Sequence, residues 1–199
     1  MFEDSFMIES IFRSAWIGFK RNFFIFIVFA CAVFAAFAFF TFIKFLPFKL
    51  NVIIQLIVTA YLGLSFTKAA LGAALNHKIT FDVFKNDTVS TIKFVFVTLI
   101  FSIGFWLAAY NTFLIFGTIV IAAIFLPLPF IIVDEDISLV AAIVKSLRSS
   151  IPNFVSLILF ILISCLICIA GIIALGIGEL IALPVVIIAA AHAYKKIVR

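Results

Sequence analysis

The residues of this sequence that could carry chemistry lie inside or beside long apolar segments. Lys68 is a cation within the apolar segment 52–75, where a charge is costly and normally has a partner or faces water. A candidate polar stripe runs along the same segment: Gln55, Thr59, Tyr61, Ser65 and Lys68. At helical spacing Tyr61 and Ser65 fall nearly on the face of Lys68, whereas Gln55 and Thr59 form a separate short run. The stripe indicates either a solute path, an interhelical polar contact, or a lysine that reaches the interface with its long side chain.

Two acidic features could hold a cation. Glu179 is the only acid expected on the outer side, and a proton or cation site there would need a second ligand; the simpler interpretation is a carboxylate that reaches solvent. Asp134-Glu135-Asp136 offers three carboxylates, which suit hard cations such as Ca²⁺ or Mg²⁺. Consecutive side chains at a helix start do not converge on one ion, and acids are favoured at helix N-termini. We therefore expect these acids to cap the helix that follows.

The cysteines and histidines predict no cofactor and no metal. Cys165 and Cys168 have the spacing of a redox or metal pair, but they lie mid-span without a second pair, so buried sulfur packing is expected. His77 and His192 are far apart in sequence, and neither has a serine or carboxylate arrangement around it. The sequence thus predicts no catalytic residue.

The elements that carry these residues are predicted to be membrane helices. Hydrophobic residues make up 67% of the 199 residues and charged residues 12%, whereas soluble domains are roughly half apolar and about a quarter charged. A helix needs about 20 apolar residues to span a bilayer. Six runs fit this length: 22–43, 52–75, 91–110, 112–133, 154–175 and 177–194. They lack the two-residue alternation of a barrel, so we expect one all-α polytopic domain over residues 1–199.

The basic residues predict the orientation of the chain. Only Lys44 and Lys49 fall on the outer side of the predicted spans. The cations on the side of the termini are Arg13, Lys20, Arg21, Lys78, Lys85, Lys93, Lys145, Arg148, Lys195, Lys196 and Arg199. This bias predicts that both termini lie in the cytoplasm. The cations form no run, so the net charge of +5 indicates membrane orientation and not a nucleic-acid partner.

Two amphipathic segments are predicted to lie flat in the membrane interface. In residues 8–20, Glu9, Arg13 and Lys20 share the polar face. In residues 138–151 the apolar face consists of Leu139, Val140, Ile143, Val144, Leu147 and Ile151. A weaker version stands at residues 81–85, before the third span.

The amphipathic segments suggest an internal repeat. Asn22 and Asn153 take the same place between an amphipathic segment and the span that follows, and Lys93 takes that place in the middle of the chain. The chain then consists of three units, each an interfacial helix followed by a transmembrane hairpin. The units cover approximately residues 5–75, 80–133 and 134–196.

Three prolines lie inside or at the ends of the predicted spans: Pro127, Pro129 and Pro184. Each removes a backbone donor, frees a carbonyl and bends its helix. Such bends either serve gating or only shape the packing.

The last third of the chain carries a pattern of motifs. It reads LPLPFIIVDED at 126–136, AAIVKSL at 141–147, LP at 183–184 and AHAYKK at 191–196. This pattern resembles the YciC-like bacterial inner-membrane proteins and the related membrane domain that precedes glycerophosphoryl diester phosphodiesterases. The resemblance implies a six-span protein of the bacterial inner membrane with an envelope role. It transfers no catalytic residue, because in the second family the phosphodiesterase chemistry belongs to an appended soluble barrel.

These observations favour a non-enzymatic membrane protein. We expect it to act in membrane homeostasis, with the lipid bilayer as its partner and with other membrane proteins or a second copy as further partners. The alternative is a small channel or transporter for ions or small solutes, in which the polar stripe lines the path and the prolines bend around it. An enzyme ranks third, because hydrolysis or transfer needs several acids, histidines or a metal at one depth.

Overall fold

The computed structural model describes residues 2–42, 48–110, 112–135, 137–174 and 178–198. These residues form α-helices joined by turns, with one short 3₁₀ turn at Phe81–Phe84, which confirms the all-α prediction. The helices are α1 (Phe2–Arg21), α2 (Phe23–Phe42), α3 (Phe48–Ala74), α4 (Thr88–Tyr110), α5 (Thr112–Phe125), α6 (Leu128–Asp134), α7 (Leu139–Ser150), α8 (Phe154–Ile173) and α9 (Glu179–Val198).

Several of these helices are long and apolar enough to cross a membrane. Within the described residues, five segments are long and apolar enough: Phe23–Phe40, Leu50–Ala74, Gly117–Asp134, Phe154–Ile173 and Glu179–Val198. The third predicted span falls in α4, which contributes the shorter apolar stretch Thr88–Ile103. The chain is therefore an all-α integral membrane protein with multiple spans.

Helices α3 and α9 form the centre of the bundle. Helix α3 packs against α1, α2, α4, α6 and α9, and α9 also packs against α8. Both helices bury small residues beside larger ones, and Ala69, Ala70, Ala189 and Ala191 are fully buried. Lipid is as apolar as a side chain, so membrane helices gain stability from close van der Waals packing, which small residues allow.

Helix α1 has the two faces that the sequence predicts. Ile8, Ile11 and Ala15 are buried, mainly against α9, whereas Arg13 and Lys20 are exposed. The apolar face of this amphipathic helix is thus covered by protein.

Helix α7 packs differently, because its buried face is a stripe of small residues: Ala142, Ser146 and Ser150. Val140 and Val144 are 71 and 52% exposed, whereas Leu139 and Ile143 are partly buried against the core. Exposed apolar side chains beside the exposed Arg148 are typical of a helix that lies in a membrane interface.

The break between α5 and α6 explains the serines of α7. Pro127 and Pro129 have no N–H, so the helix cannot continue through them and its carbonyls lose donors. The hydroxyl groups of Ser146 and Ser150 both donate to the Ile124 carbonyl, at 2.9 and 2.8 Å. Helix α7 therefore supplies donors to a carbonyl at the end of α5, where the helix breaks at the prolines. Pro184 lies inside α9 and is fully buried.

Asn22 and Asn153 occupy matching hinges between an amphipathic helix and a span. Each side-chain amide donates to the carbonyl four residues earlier, at 3.2 Å for Asn22 and 3.1 Å for Asn153. Each backbone N–H donates to the residue three earlier, and each carbonyl accepts from the residue four later. The proposed third equivalent, Lys93, lies inside α4 rather than at its start, so the middle unit does not share this hinge. The division into three units stays a prediction.

Candidate functional site: a groove beside α3

The structure separates the polar stripe of α3 into two faces. On one face, Lys68 Nζ donates to Asn86 Oδ1 at 2.9 Å and to the Lys85 carbonyl at 3.4 Å. The loop that carries these acceptors follows α3 in sequence and folds back along it. Lys68 is therefore held by a polar contact with this loop.

Tyr61 and Ser65 bind the same loop. Asn86 Nδ2 donates to Ser65 Oγ at 2.6 Å and to the Tyr61 carbonyl at 3.2 Å, and the Tyr61 hydroxyl donates to the Phe84 carbonyl. The Phe84 ring stacks on Phe29 of α2, with 4.2 Å between the ring centroids. These hydrogen bonds join this face of α3 to the loop, so Lys68 and Gln55 have different surroundings.

The other face of α3, with Gln55 and Thr59, borders open space. Three adjoining cavities of about 520, 250 and 390 Å³ lie along it, and Thr59 contacts all three. We call this continuous space the groove. Its walls come from α2, α3, α4, the α5–α6 break, α8 and α9.

The walls that the described residues form around the groove are uncharged. Most of its lining is aliphatic or aromatic, and the polar side chains along it are Gln55, Thr59, Thr67, Thr98 and Ser102. The hydroxyl groups of Thr67 and Thr98 donate to carbonyls of their own helices, at 2.8 and 2.9 Å. Gln55, Thr59 and Ser102 thus remain as a small neutral polar group at one end.

The groove opens at the surface between apolar side chains. Phe37, Val52 and Ile103 line it and are 65, 47 and 51% exposed. At its other end it reaches Leu126 and Pro129 at the helix break. Of the three span prolines, Pro129 lines the groove. Pro184 follows Leu183, which also lines it.

The acids expected at a helix start lie at a helix end. Helix α7 begins at Leu139, and its cap is Ser138, whose hydroxyl accepts from the Ala141 N–H at 3.3 Å. Asp134 instead ends α6 and Glu135 follows it, while Asp136 lies outside the described residues. Asp134 accepts from the hydroxyl of the fully buried Tyr194 at 2.7 Å, and Glu135 pairs with Lys145. The capping prediction for Asp134 and Glu135 is wrong, because tertiary partners hold them at the end of α6.

Glu179 and the cysteines lie away from the groove. Glu179 begins α9, and its Oε2 atom is buried and close to Gly171, where an added Cβ would approach it to 2.8 Å. Cys31 and Cys165 are exposed on the bundle surface, which corrects the expectation of buried sulfur packing for Cys165.

The loop before α4 contains two carboxylates with hydrogen-bond partners nearby in the sequence. Lys85 Nζ donates to Asp82 Oδ1 at 2.7 Å, and this contact lowers the pKa of Asp82 and raises the pKa of Lys85. Asp87 caps α4, since its Oδ2 accepts from the Ser90 N–H at 2.8 Å, and this hydrogen bond lowers the pKa of Asp87. The loop is therefore ordered at both ends by carboxylates.

Asn22 is a buried polar residue that its sequence pattern did not mark as a candidate site residue. Asn22 is only 5% exposed, and its Oδ1 accepts from the Ile79 N–H at 2.9 Å. The alignment with Asn153 marked its position, but no sequence signal pointed to a partner 57 positions away.

No protein-family model, curated protein or solved structure matches this chain. The resemblance to the YciC-like proteins therefore stays a prediction.

Proposed function

We propose that this protein is a non-enzymatic membrane protein that binds the apolar chain of a membrane lipid in the groove. We further propose that it acts in membrane homeostasis in the bacterial inner membrane, with both termini in the cytoplasm. The observation that carries the proposal is an uncharged groove whose mouth lies among exposed apolar side chains. Such a mouth faces lipid in a membrane, so the molecules that reach it are lipid chains.

The dimensions of the groove suit a hydrocarbon chain. Its lining residues on α3 run from Val52 to Thr67, a length of about 22 Å at 1.5 Å per residue. The three cavities along this length measure about 520, 250 and 390 Å³. A long space with apolar walls suits an extended hydrocarbon chain.

A substitution that fills the groove tests this proposal. Thr59 contacts all three cavities, so Thr59→Trp should occupy the space in which they meet. Ile57→Trp is the matched control, because Ile57 is 49% exposed on the same helix and lies outside the groove. The measurement is the lipid retained by the full chain after extraction into detergent, quantified by mass spectrometry.

We expect Thr59→Trp to lose most of the retained lipid and Ile57→Trp to retain as much as the native chain. Thermal unfolding of both variants verifies that they fold. Equal retention by a folded Thr59→Trp would contradict lipid binding in the groove.

A channel or transporter is the second candidate, and the neutral polar group at one end of the groove favours it. Gln55, Thr59 and Ser102 could solvate a small polar solute as it passes. In liposomes, Gln55→Leu should then reduce solute flux. Lys68→Leu is the control, since Lys68 binds the loop outside the groove. No flux through the native chain, or flux that Gln55→Leu leaves unchanged, would reject this candidate.

A further inference from the structure

We propose a second lipid site, independent of the groove, in which Lys20, Arg21 and Lys78 bind the phosphate of an anionic phospholipid headgroup. We call these three residues the basic corner. Lys20 and Arg21 end α1, whereas Lys78 lies in the loop after α3. All three side chains are exposed.

The buried side chain of Asn22 brings the two segments together. Its Nδ2 donates to the His77 carbonyl at 3.5 Å, and its Oδ1 accepts from the Ile79 N–H at 2.9 Å. These two backbone groups flank Lys78. Arg21 adds a third link, because its Nη2 donates to Asn76 Oδ1 at 3.0 Å. The loop is thereby fixed beside the end of α1.

The charges of the basic corner are not neutralised by protein. The partner of Arg21 is the neutral amide of Asn76, and Lys20 lies over the Trp16 ring at 5.2 Å. In the described part of the chain no carboxylate pairs with any of the three, and Asp82, the nearest acid along the loop, is engaged by Lys85. Clustered cations without acids attract phosphate groups.

The basic corner also lies at the depth of lipid phosphates. The next residues, Phe23 and Phe24, are exposed and open a span of mean hydropathy 2.8. Trp16 is exposed beside them, and tryptophan favours the headgroup region. Cations beside an exposed apolar surface match a molecule that carries its anionic group on hydrocarbon chains. This arrangement favours a phospholipid over a soluble anion.

Binding of short-chain phosphatidylglycerol and phosphatidylcholine to the full chain in detergent, measured by native mass spectrometry, tests the site. The variant carries Lys20→Gln, Arg21→Gln and Lys78→Gln. Its matched control carries Arg13→Gln, Arg148→Gln and Lys196→Gln, which removes the same charge from exposed positions elsewhere. We expect phosphatidylglycerol affinity to fall about fivefold for each cation removed from the corner. We expect no comparable fall in the control, and no change in either for phosphatidylcholine.

A second pair of variants tests the geometry without removing a cation. Asn22→Ala should release the loop and weaken phosphatidylglycerol binding about fivefold, whereas Asn153→Ala, at the matching hinge, should not. Equal losses in the two charge variants, or native binding in a folded Asn22→Ala, would overturn the site. Displacement of the lipid by inorganic phosphate at constant ionic strength would overturn the assignment to a phospholipid. The groove-filling Thr59→Trp should leave this binding unchanged, which separates the two lipid sites.

Discussion

The two polar faces of α3 have the same kinds of side chain but different surroundings. On the face of Tyr61, Ser65 and Lys68, a loop folds back and occupies the polar groups. On the face of Gln55 and Thr59, no loop among the described residues intervenes and the groove remains. The difference teaches that a polar run in a membrane helix indicates a binding space only where neighbouring elements leave its side chains uncovered.

The largest expected effect lies on the loop-covered face, at Asn86. Its side chain accepts from Lys68 and donates to Ser65 and the Tyr61 carbonyl. Asn86→Ala should lower the free energy of unfolding by about 2 to 3 kcal/mol, because it removes three hydrogen bonds, one of them to the charged amine of Lys68. Denaturant unfolding in mixed micelles measures this change.

Thr59→Val on the groove face provides the control for Asn86→Ala. It should change the free energy of unfolding by less than about 0.5 kcal/mol, since no partner is lost. Similar destabilisation by both variants would show that the two faces do not differ.

The second effect concerns the helix break at the end of the groove. Ser146 and Ser150 donate to one carbonyl, that of Ile124. Either serine alone can satisfy it, so each single alanine variant should cost less than about 1 kcal/mol. The double variant should cost about 2 kcal/mol, because it leaves a carbonyl unsatisfied. Unfolding of the two single variants and the double variant in one detergent measures the coupling, and simple additivity would contradict the shared acceptor.

The sequence predicted local features well and long-range partners poorly. The two faces of α1 and the break near Pro127 follow from side-chain periodicity and from the missing proline N–H, which are local properties. Asp134 and Glu135 were predicted to cap α7, but Ser138 caps this helix. The partner of Asp134 is Tyr194, which lies 60 positions away and could not be predicted from local sequence. The partner of Lys68 could not be predicted, because it depends on a loop that turns back along α3.

Apart from Gln55, Thr59 and Pro129, the residues that line the groove form no recognisable pattern in the sequence. The walls of the groove are ordinary apolar residues, and the space arises from how α2, α4 and α9 meet α3. Packing of several helices is a tertiary property, and periodicity reports only which face of each helix is apolar.

A smaller effect distinguishes the two candidate functions of the groove. Gln55→Leu replaces a neutral polar wall by an apolar one. If a lipid chain occupies the groove, retained lipid should rise about two- to fivefold, since an amide no longer meets hydrocarbon. Mass spectrometry of the extracted chain measures the ratio, with Leu56→Met as an apolar control. A fall in retained lipid together with a fall in flux would favour the channel.

The smallest expected effect is a pH dependence from the loop-covered side. The hydrogen bond from Ser90 lowers the pKa of Asp87, so the folded state favours the ionised carboxylate. The stability that Asp87 contributes is therefore present above its ordinary pKa of 3.8 and is lost as the pH falls through the lower folded value. Because Asp87 is exposed, we expect only a few tenths of a kcal/mol. The free energy of unfolding of Asp87→Asn, measured from neutral to acidic pH, should lack this pH-dependent contribution, because the amide keeps the cap but does not ionise. The same pH profile in the native chain and in Asp87→Asn would contradict the contribution of Asp87.

The most direct test of lipid binding in the groove is to map where a lipid chain lies. The full chain in nanodiscs that contain a phospholipid with a photoreactive group on its acyl chain can be irradiated, digested and sequenced by mass spectrometry. The account predicts adducts concentrated on the walls of the groove, at Thr59, Phe66 and Thr98, and their loss in Thr59→Trp. Adducts spread evenly over exposed residues such as Phe24 and Leu166, with no loss in Thr59→Trp, would contradict it.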